Sequence, residues 1–369
     1  VDVSAPMPDR VRVERVFALD TARHLAIAGR HVHWMALPDR WVSWWPGAVL
    51  RGRSLIKRYR PHVIWSTYPI ATAHAIGIAL HKSSQLPWVA DFRDPMTNVE
   101  QPGVSRTAAL SIEGSRARIE RQAIQACARA VFTTQGTAAS YSARFPEVPR
   151  DRWSVISNGY DEEDFDGSAE PPVDGRKKPF VLLHSGDLYR GTNSGRDPTS
   201  FFKALAILKS SGRISADELR VVLRATSDDA YFRALTKTFS IDDVVSIERP
   251  ISHKEAVREM LQAHGLLLLQ GSKFNRQIPA KVYEYLRCGR PILALTDSAG
   301  DTAALLRSEG IVAMASPDSP EDIAARLLDF ISFVEGAGGG SVRDFSVHSR
   351  RARTRELAGV LDTVAEFGE

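Results

Sequence analysis

The amino-acid sequence predicts an α/β protein with two Rossmann-like domains that face each other across a cleft. Three observations support this prediction. The chain has 369 residues, which is long for one compact domain and sufficient for two. Short aliphatic runs with strand character alternate with segments of helical period along nearly the whole sequence. One polar stretch rich in proline and glycine, residues 161–179, interrupts this alternation and predicts the junction between the domains.

The first predicted domain, residues 1–166, contains four strands and three helices. The strands are Val63–Ser66, Trp88–Asp91, Ala130–Thr133 and Trp153–Ile156, and the helices are Ile70–Ser83, Arg116–Cys127 and Gln135–Phe145. Aliphatic strands that alternate with helices are typical of a parallel sheet covered on both faces. Such a domain normally opens with a strand and a glycine-rich turn, and the sequence has no convincing pair of this kind. We therefore expect this domain to lack its first strand and its glycine-rich loop.

The second predicted domain, residues 167–340, repeats the pattern. Its strands are predicted at Phe180–His184, Leu219–Arg224, Val244–Ile247, Gly265–Gln270, Pro291–Leu295 and Ile311–Ala315, and its helices at Ser200–Lys209, Asp229–Phe239, Lys254–Ala263, Ala280–Arg287 and Glu321–Phe333. A flexible loop is predicted at Gly336–Ser341. The remaining residues, 341–369, are predicted to form a C-terminal helical tail, Ser349–Phe367, which we expect to return to the first domain and pack on it.

Composition and charge exclude several classes of protein. Hydrophobic residues make up 43% and charged residues 25%, a balance typical of globular rather than disordered proteins. The apolar run Leu266–Leu269 is far shorter than the ~20 residues that a membrane-spanning helix needs, and the sequence shows no export signal. Cys127 and Cys288 have no cysteine or histidine cluster around them. This argues against a zinc site and a disulfide framework, and it favours a cytoplasmic location.

One segment of the first domain concentrates positive charge and tryptophan. The whole chain has a formal charge of only +4, yet residues 41–90 contain no Asp or Glu. Within residues 41–60, a helix would place Arg53, Lys57 and Arg60 on one face. Basic amphipathic helices with tryptophans bind anionic membranes, so this segment predicts peripheral contact with the inner face of the cell membrane. An ordinary surface helix is the competing interpretation, and no recognition motif indicates nucleic-acid binding.

The second domain carries the strongest candidate for chemistry. In open parallel sheets, ligands bind beyond the carboxyl ends of the strands. After the strand Gly265–Gln270, a turn at Pro279 opens a helix with Lys281 in its first turn and Glu284 three residues later, on nearly the same face. A helix N-terminus with a lysine can bind phosphate, and the glutamate could accept two hydroxyl protons of a ribose. A surface lysine–glutamate pair on an ordinary helix is the alternative.

Several motifs in this order resemble glycosyltransferases of the GT-B fold, family 4, in particular their bacterial members that build surface polysaccharides and glycolipids. They are the D-F-R-D-P strand end in Trp88–Pro95, the V-I-S-N-G-Y-D junction in Trp153–Phe165, Leu183–Tyr189 with Gly195–Pro198, and Asn275–Pro291 with Gly300–Leu306. Together they span roughly residues 60–330. Their combination in this order is specific, whereas each motif alone would be weak.

The resemblance implies a retaining, metal-independent glycosyltransferase. It would move a sugar from a nucleoside diphosphate sugar, UDP- or GDP-linked, to a cell-envelope glycan or lipid-linked acceptor, with no cofactor. Carried over to this sequence, the donor-binding residues are Gly186, Arg196, Pro250, Ile251, Lys281 and Glu284, the acceptor side has Asp91, Arg93 and Asp94, and the catalytic residues are Arg196, Lys281 and Asp94. Lys281 and Arg196 would stabilise the leaving diphosphate. Glu284 would hold the ribose, and Gly186 would let the backbone approach the phosphates.

Two departures from the family pattern keep alternatives open. The family often carries two glutamates eight positions apart; Glu284 takes the second place, and Arg276 stands in the first. Together with the missing glycine-rich loop, this motivates a non-catalytic nucleotide-sugar-binding subunit as an alternative, and an epimerase on the same fold is another. Asp91 and Asp94 could be mistaken for a metal pair, but we expect a hydrogen-bonded strand end. His184 is either a residue of the cleft or a hydrogen-bonded core histidine.

Overall fold

The computed structural model describes residues 11–24, 33–97, 111–166, 174–191, 195–337 and 344–366. The chain divides into two compact units, which are described separately. The first comprises residues 1–132, 141–154 and 359–369, and the second comprises residues 133–140 and 155–358. The second unit thus begins before the predicted boundary at residue 167. Residues 167–173 themselves lie outside the described part of the chain.

The first unit is built on a four-stranded sheet in the order β1-β2-β3-β4. The strands are β1 (Ile64–Thr67), β2 (Trp88–Phe92), β3 (Arg129–Phe132) and β4 (Trp153–Val155), and the helices of this part of the chain are α1 (Thr21–His24), α2 (Trp44–Tyr59), α3 (Ala71–Ser84), α4 (Ile112–Ala126) and α5 (Gln135–Arg144). β2 pairs in parallel with both β1 and β3. All of its residues are buried, as expected of a parallel strand covered on both faces.

Aromatic packing fixes β2 within this sheet. The indole of Trp88 is fully buried against Gly77 of α3, where an added Cβ would come within 2.7 Å of the ring. Phe92 stacks on Phe132 of β3 with ring centroids 5.5 Å apart. The carboxyl end of β2, where the predicted acceptor residues lie, is therefore well anchored.

The second unit is built on a six-stranded parallel sheet in the order β10-β9-β8-β5-β6-β7. The strands are β5 (Phe180–Ser185), β6 (Leu219–Arg224), β7 (Val245–Glu248), β8 (Gly265–Gln270), β9 (Ile292–Thr296) and β10 (Met314–Ala315), and the helices are α6 (Thr199–Ser210), α7 (Asp229–Thr238), α8 (His253–Gln262), α9 (Lys281–Cys288), α10 (Asp301–Ser308), α11 (Pro320–Ala337) and α12 (Arg350–Glu366). From β5 the chain adds β6 and β7 on one side, and then β8, β9 and β10 on the other. The order reverses between β5 and β8, the position at which open α/β sheets bind ligands.

The structure confirms the predicted α/β fold and its strands and helices, with different bounds at some ends. α4 begins at Ile112 rather than at Arg116. The reason is a helix cap, since the Ser111 hydroxyl accepts a hydrogen bond from the Gly114 amide at 3.0 Å.

β10 is the strand that differs most from its prediction. It keeps only Met314 and Ala315 of the predicted Ile311–Ala315. The Ile311 amide donates instead to the Leu306 carbonyl oxygen at 2.8 Å, so it terminates α10 rather than joining the sheet.

Some predictions fall on residues that the structure does not describe. Most of the predicted loop Gly336–Ser341 lies outside the described residues, as do residues 1–10 and 25–32, where a first strand and glycine-rich loop would be sought. α12 begins in the second unit, and residues from Gly359 onward belong to the first. Within the described ranges, no helix combines the length and apolar character that crossing a bilayer requires.

Candidate functional site

A glycine turn, a buried histidine and a partly buried lysine meet where β5 ends, beside the strand reversal. Gly186 follows β5 with a φ of +115°, a conformation that favours glycine. Its amide donates to the Arg224 carbonyl oxygen of β6 at 2.9 Å. A Cβ at Gly186 would lie 2.8 Å from Lys281 Nζ. The absence of a side chain therefore serves both the backbone conformation and the close approach of the lysine.

Lys281, the first residue of α9, contacts a buried histidine. His184 of β5 is fully buried. Its Nδ1 lies 2.9 Å from the Leu267 carbonyl oxygen of β8, and its Nε2 lies 3.1 Å from Lys281 Nζ. Because a carbonyl oxygen can only accept, Nδ1 carries the hydrogen, and Nε2 accepts from the lysine. His184 is thus a hydrogen-bonded core histidine that also contacts the predicted phosphate-binding lysine.

The Lys281 amine has no counter-ion in the part of the chain that the structure describes. Burial lowers the pKa of Lys281 to about 7, and the positive charge of Arg196 contributes to the decrease, whereas Glu284 and Asp187 oppose it. Burial also lowers the pKa of His184 well below its usual range, so the imidazole is neutral. Among the described residues, no carboxylate forms an ion pair with Lys281. An anion bound at this point would therefore gain from a poorly solvated cation.

Arg196, the second predicted cation, lies in the loop after β5. Its guanidinium carbon is 5.8 Å from the centroid of the Tyr189 ring. Its carbonyl oxygen accepts a hydrogen bond from the Tyr189 amide at 3.2 Å. No described carboxylate pairs with Arg196, and stacking on an aromatic ring leaves guanidinium N–H groups able to bind an anion. Residues 192–194 of this loop lie outside the described part of the chain.

Glu284 lies on α9 three residues after Lys281 and is partly exposed. Within the described ranges, its carboxylate accepts no hydrogen bond and forms no ion pair. The next residue, Tyr285, anchors the helix. Its hydroxyl accepts a hydrogen bond from the Ser185 amide at 3.1 Å and lies 3.4 Å from the Leu267 carbonyl oxygen. The helix is therefore held against the sheet by Tyr285, whose role no sequence motif indicated, and Glu284 remains available to a ligand.

The loop after β7 carries the residues predicted to face a base. Arg224 donates through Nε and Nη2 to the two carboxylate oxygens of Glu259 at 2.7 and 2.5 Å, and through Nη1 to the Arg249 carbonyl oxygen at 2.7 Å. Pro250 and Ile251 follow and are exposed. β7 is the edge strand, two strands from β5. This places the loop roughly 10 Å across the sheet from the glycine turn, since neighbouring strands are ~4.8 Å apart.

Arg276, which stands where the family often has a glutamate, makes structural contacts within the second unit. Its carbonyl oxygen accepts hydrogen bonds from the hydroxyls of Thr134 and Thr137 at 2.5 and 2.7 Å. Its Nη1 donates to Ser140 Oγ at 2.9 Å. The position therefore supplies backbone and guanidinium contacts where a carboxylate would stand in the family pattern.

The predicted acceptor residues lie at the carboxyl end of β2 in the first unit, with Asp91 in the strand and Arg93 and Asp94 just after it. Asp91 is buried, and its Oδ2 accepts a hydrogen bond from Thr67 Oγ1 at 3.1 Å. Its Oδ1 is buried with no partner among the described residues. Burial raises the pKa of both Asp91 and Asp94, and the charge of Arg93 opposes each shift. Asp94 is exposed to solvent. Of the two carboxylates, Asp91 is therefore the one with a buried oxygen that has no hydrogen-bond partner among the described residues.

A buried polar cluster holds the chain just after these residues and was not identified from the sequence. Glu120 of α4 is fully buried. It accepts hydrogen bonds from the Thr97 amide and hydroxyl at 3.3 and 2.9 Å, from the Tyr141 hydroxyl at 2.5 Å, and from the Arg144 guanidinium. The Tyr141 hydroxyl accepts in turn from the Met96 amide at 3.0 Å. The cluster therefore fixes the end of the segment that follows β2.

Comparison with known proteins finds a family match in the N-terminal part of the chain. Residues 4–159 match the family model of the glycosyl transferase 4-like domain. A search of curated proteins finds no match to the sequence.

Solved structures share the fold over most of the chain. Anabaena HepE in complex with UDP and glucose is 14% identical, with a TM-score of 0.57 over 86% of this chain and 82% of that chain. The lipopolysaccharide outer core galactosyltransferase WaaB, in its apo form, is 15% identical, with a TM-score of 0.56 over 86% and 79%. The α,α-trehalose 6-phosphate synthase of Burkholderia multivorans is 12% identical, with a TM-score of 0.60 over 89% and 76%. Residues 4–159 thus match the glycosyl transferase 4-like family, and the chain has the GT-B fold of these solved structures.

Proposed function

We propose that this protein is a glycosyltransferase, which moves a sugar from a nucleoside diphosphate sugar to a cell-envelope glycan or lipid-linked acceptor. One observation carries the proposal. Lys281 Nζ lies over the Gly186 turn, beside the strand reversal, with no carboxylate partner among the described residues. A diphosphate at this point would meet Lys281, the N-terminus of α9 and Arg196. Glu284, one turn further along α9, would accept hydrogen bonds from the ribose hydroxyls.

The proposed chemistry depends on positive groups placed where negative charge develops in the transition state. Negative charge accumulates on the departing diphosphate, and cationic groups already in place when the bond breaks stabilise it most effectively. We assign this catalytic role to Lys281 and Arg196, and we assign the acceptor side to Asp91, Arg93 and Asp94. Retention of configuration and independence of a metal or other cofactor are part of the proposal through the family resemblance.

We favour UDP as the nucleotide, with GDP as the alternative. The likeness in fold to HepE, whose structure contains UDP and glucose, supports this choice. The loop with Pro250 and Ile251 would contact the base, mainly through backbone groups. Like the glycine turn, this loop lies at the carboxyl ends of the strands.

Calorimetric titration with UDP, GDP, ADP and CMP tests the donor site. We expect one nucleotide to bind selectively and Lys281→Ala to weaken its binding at least tenfold, because a charge-assisted hydrogen bond contributes ~1.5–3 kcal/mol. Lys273→Ala is the matched control, since Lys273 is an exposed lysine in the loop that precedes α9. Equal affinity in wild type and Lys281→Ala would contradict the site assignment.

Turnover is tested by donor consumption with and without a lipid extract of bacterial cell envelopes. A glycosyltransferase releases nucleoside diphosphate in proportion to the extract. Interconversion of the free sugar nucleotide without extract would instead identify an epimerase. Nucleotide binding without donor consumption in either condition would favour the non-catalytic subunit that Arg276 motivates.

We also propose that the protein works in the cytoplasm and contacts the inner face of the cell membrane through α2. Leu50 on this helix is 68% exposed, and Phe17, on the segment that packs beside Gly47, is 75% exposed. Arg53 and Lys57 are exposed on the same side of the helix as Leu50. Exposed apolar side chains flanked by cations favour an anionic interface.

Liposome flotation tests the membrane contact. Wild type should bind vesicles with anionic lipids and not neutral vesicles, and reversing the charges of Arg53, Lys57 and Arg60 should release it. Reversing Arg213, Lys237 and Lys254, exposed cations of the second unit, gives the same net charge and should leave binding unchanged. Equal release in both variants, or no binding of wild type, would contradict this surface.

A further inference from the structure

Two hydrogen bonds connect the backbone of β8 with the amine of Lys281. The first joins His184 Nδ1 to the Leu267 carbonyl oxygen at 2.9 Å, and the second joins Lys281 Nζ to His184 Nε2 at 3.1 Å. Tyr285 also contacts the Leu267 carbonyl oxygen, at 3.4 Å. The histidine is fully buried, so the carbonyl oxygen determines which of its nitrogens accepts the lysine.

We propose that His184 is a positioning residue that holds the Lys281 amine over the glycine turn without supplying charge, so that binding of the donor diphosphate takes up one proton at Lys281. This inference rests on the proposed donor site. The proton comes from the solvent and bonds to the lone pair of Nζ, so the neutral amine becomes an ammonium beside the incoming diphosphate. No covalent bond of the donor changes in this step.

Among the residues that the structure describes, no charged group supplies a fixed counter-ion for Lys281. From the loop after β5, Arg196 opposes the ammonium, whereas Asp187 favours it from a distance. Asp187 is exposed, and its Oδ1 accepts the Ser227 hydroxyl at 3.1 Å. From α9, Glu284 favours the ammonium without forming an ion pair. The diphosphate would be the first anion in direct contact with the amine.

His184 suits this role because it stays neutral. A second hydrogen on its imidazole would sit at Nε2, directed at Lys281, and would replace the acceptor by a positive charge. Burial opposes that protonation and lowers the pKa of His184 well below its usual range. A carboxylate in the same place would hold the lysine equally well but would neutralise it before the donor arrives.

Calorimetry on the wild-type full chain tests proton uptake directly. UDP and inorganic pyrophosphate are titrated at about pH 8 in two buffers of different ionisation enthalpy. The terminal phosphate of UDP, with a second pKa of about 6, is fully ionised there, so UDP itself contributes no proton. Inorganic pyrophosphate, which still carries its last proton at this pH, reports only whether the phosphate site binds. We expect the observed heats to differ between buffers by an amount equal to about one proton per bound UDP. Affinity should also fall as the pH rises above about 7, the pKa of Lys281.

Three variants assign the effect to the pair. Lys281→Arg keeps a permanent charge, so binding should lose its buffer and pH dependence. His184→Phe removes the acceptor and should weaken UDP binding about tenfold, with the decrease in affinity moved to lower pH. His184→Gln keeps a donor and an acceptor and should restore most of the affinity, which a merely space-filling role would not predict.

The outcomes separate this inference from the donor site itself. Binding with equal heats in both buffers contradicts proton uptake and leaves the donor site in place. If Lys281→Arg still takes up a proton when it binds UDP, another group must accept that proton. This result would overturn the role of Lys281. Failure of both UDP and pyrophosphate to bind would overturn the donor site and this inference together.

Discussion

Two glutamates of this protein, one in each unit, have opposite surroundings. Glu120 of the first unit is fully buried, and its carboxylate accepts from Thr97, Tyr141 and Arg144. Glu284 of the second unit is partly exposed and has no hydrogen-bond partner among the described residues. Both lie on helices that follow strands of parallel sheets, so secondary structure does not account for the difference.

The difference separates structural from functional carboxylates. A buried carboxylate is tolerated only when hydrogen bonds and an opposite charge replace its solvation, and Glu120 has both. Glu284 keeps contact with water, so its carboxylate has little desolvation penalty in the absence of a ligand. Its oxygens are then available to a ligand that binds. We therefore expect Glu120 to determine stability and Glu284 to determine nucleotide affinity.

The largest expected effect is on the stability of the first unit. Glu120→Ala should lower its free energy of unfolding by ~3–5 kcal/mol, because it leaves the Arg144 charge and the Thr97 amide without their partner. All seven tryptophans lie in the first unit, so urea unfolding followed by tryptophan fluorescence reports on it. Glu113→Ala, an exposed glutamate of the same helix, should change the stability by less than ~1 kcal/mol. Similar losses of stability in Glu120→Ala and Glu113→Ala would contradict the structural role of Glu120 and its contrast with Glu284.

The glycine turn of the second unit should show the next largest effect. Gly186→Ala places a Cβ 2.8 Å from Lys281 Nζ, the mobile end of a side chain, in a backbone with φ of +115°. We expect a loss of ~1–3 kcal/mol in stability from the backbone and a further loss of UDP affinity from displacement of the lysine. Gly212→Ala is the control, since it has φ of +65° and no atom within 4 Å. It should lose stability and bind UDP normally, and impaired binding there would indicate a general effect.

Glu284→Ala should separate affinity from stability. Thermal unfolding should shift little, and UDP affinity should fall roughly tenfold, because hydrogen bonds to a charged group contribute ~1.5–3 kcal/mol. Inorganic pyrophosphate has no ribose and serves as the control ligand in the same calorimeter. A parallel loss of pyrophosphate affinity would mean that Glu284 acts on the phosphate site rather than on the ribose.

The smallest expected effect concerns Asp91, a buried carboxylate that lacks the full set of partners found at Glu120. Its pKa is raised in the folded state, so the folded state holds its proton more tightly than the unfolded chain. Stability from this group is present below pH ~4 and is lost as the pH rises through the folded-state pKa. Asp91→Asn should remove this loss of folding stability with rising pH, which we expect to be on the order of 1 kcal/mol. Urea unfolding by tryptophan fluorescence at a series of pH values measures it, and parallel curves for both proteins would contradict it.

The alternation of strands and helices was sufficient to predict both sheets, because each strand and helix has a local period that its own residues determine. The motif around Lys281 and the turn at Gly186 could also be predicted from the sequence, since the carboxyl ends of parallel strands lie on one side of a sheet. Glu120 could have been suspected, because it shares a helical face with the buried Ala123 and Ile124.

The tertiary structure alone decided which side chains meet. His184 and Lys281 are 97 positions apart, and His184 and Leu267 are 83 positions apart. No local pattern relates them. Their contact follows from the order of the strands, which places β5 beside β8 and so brings the histidine under the first residue of α9. The sequence determined the lysine and the glycine, and the strand order determined that a neutral histidine is the lysine's partner.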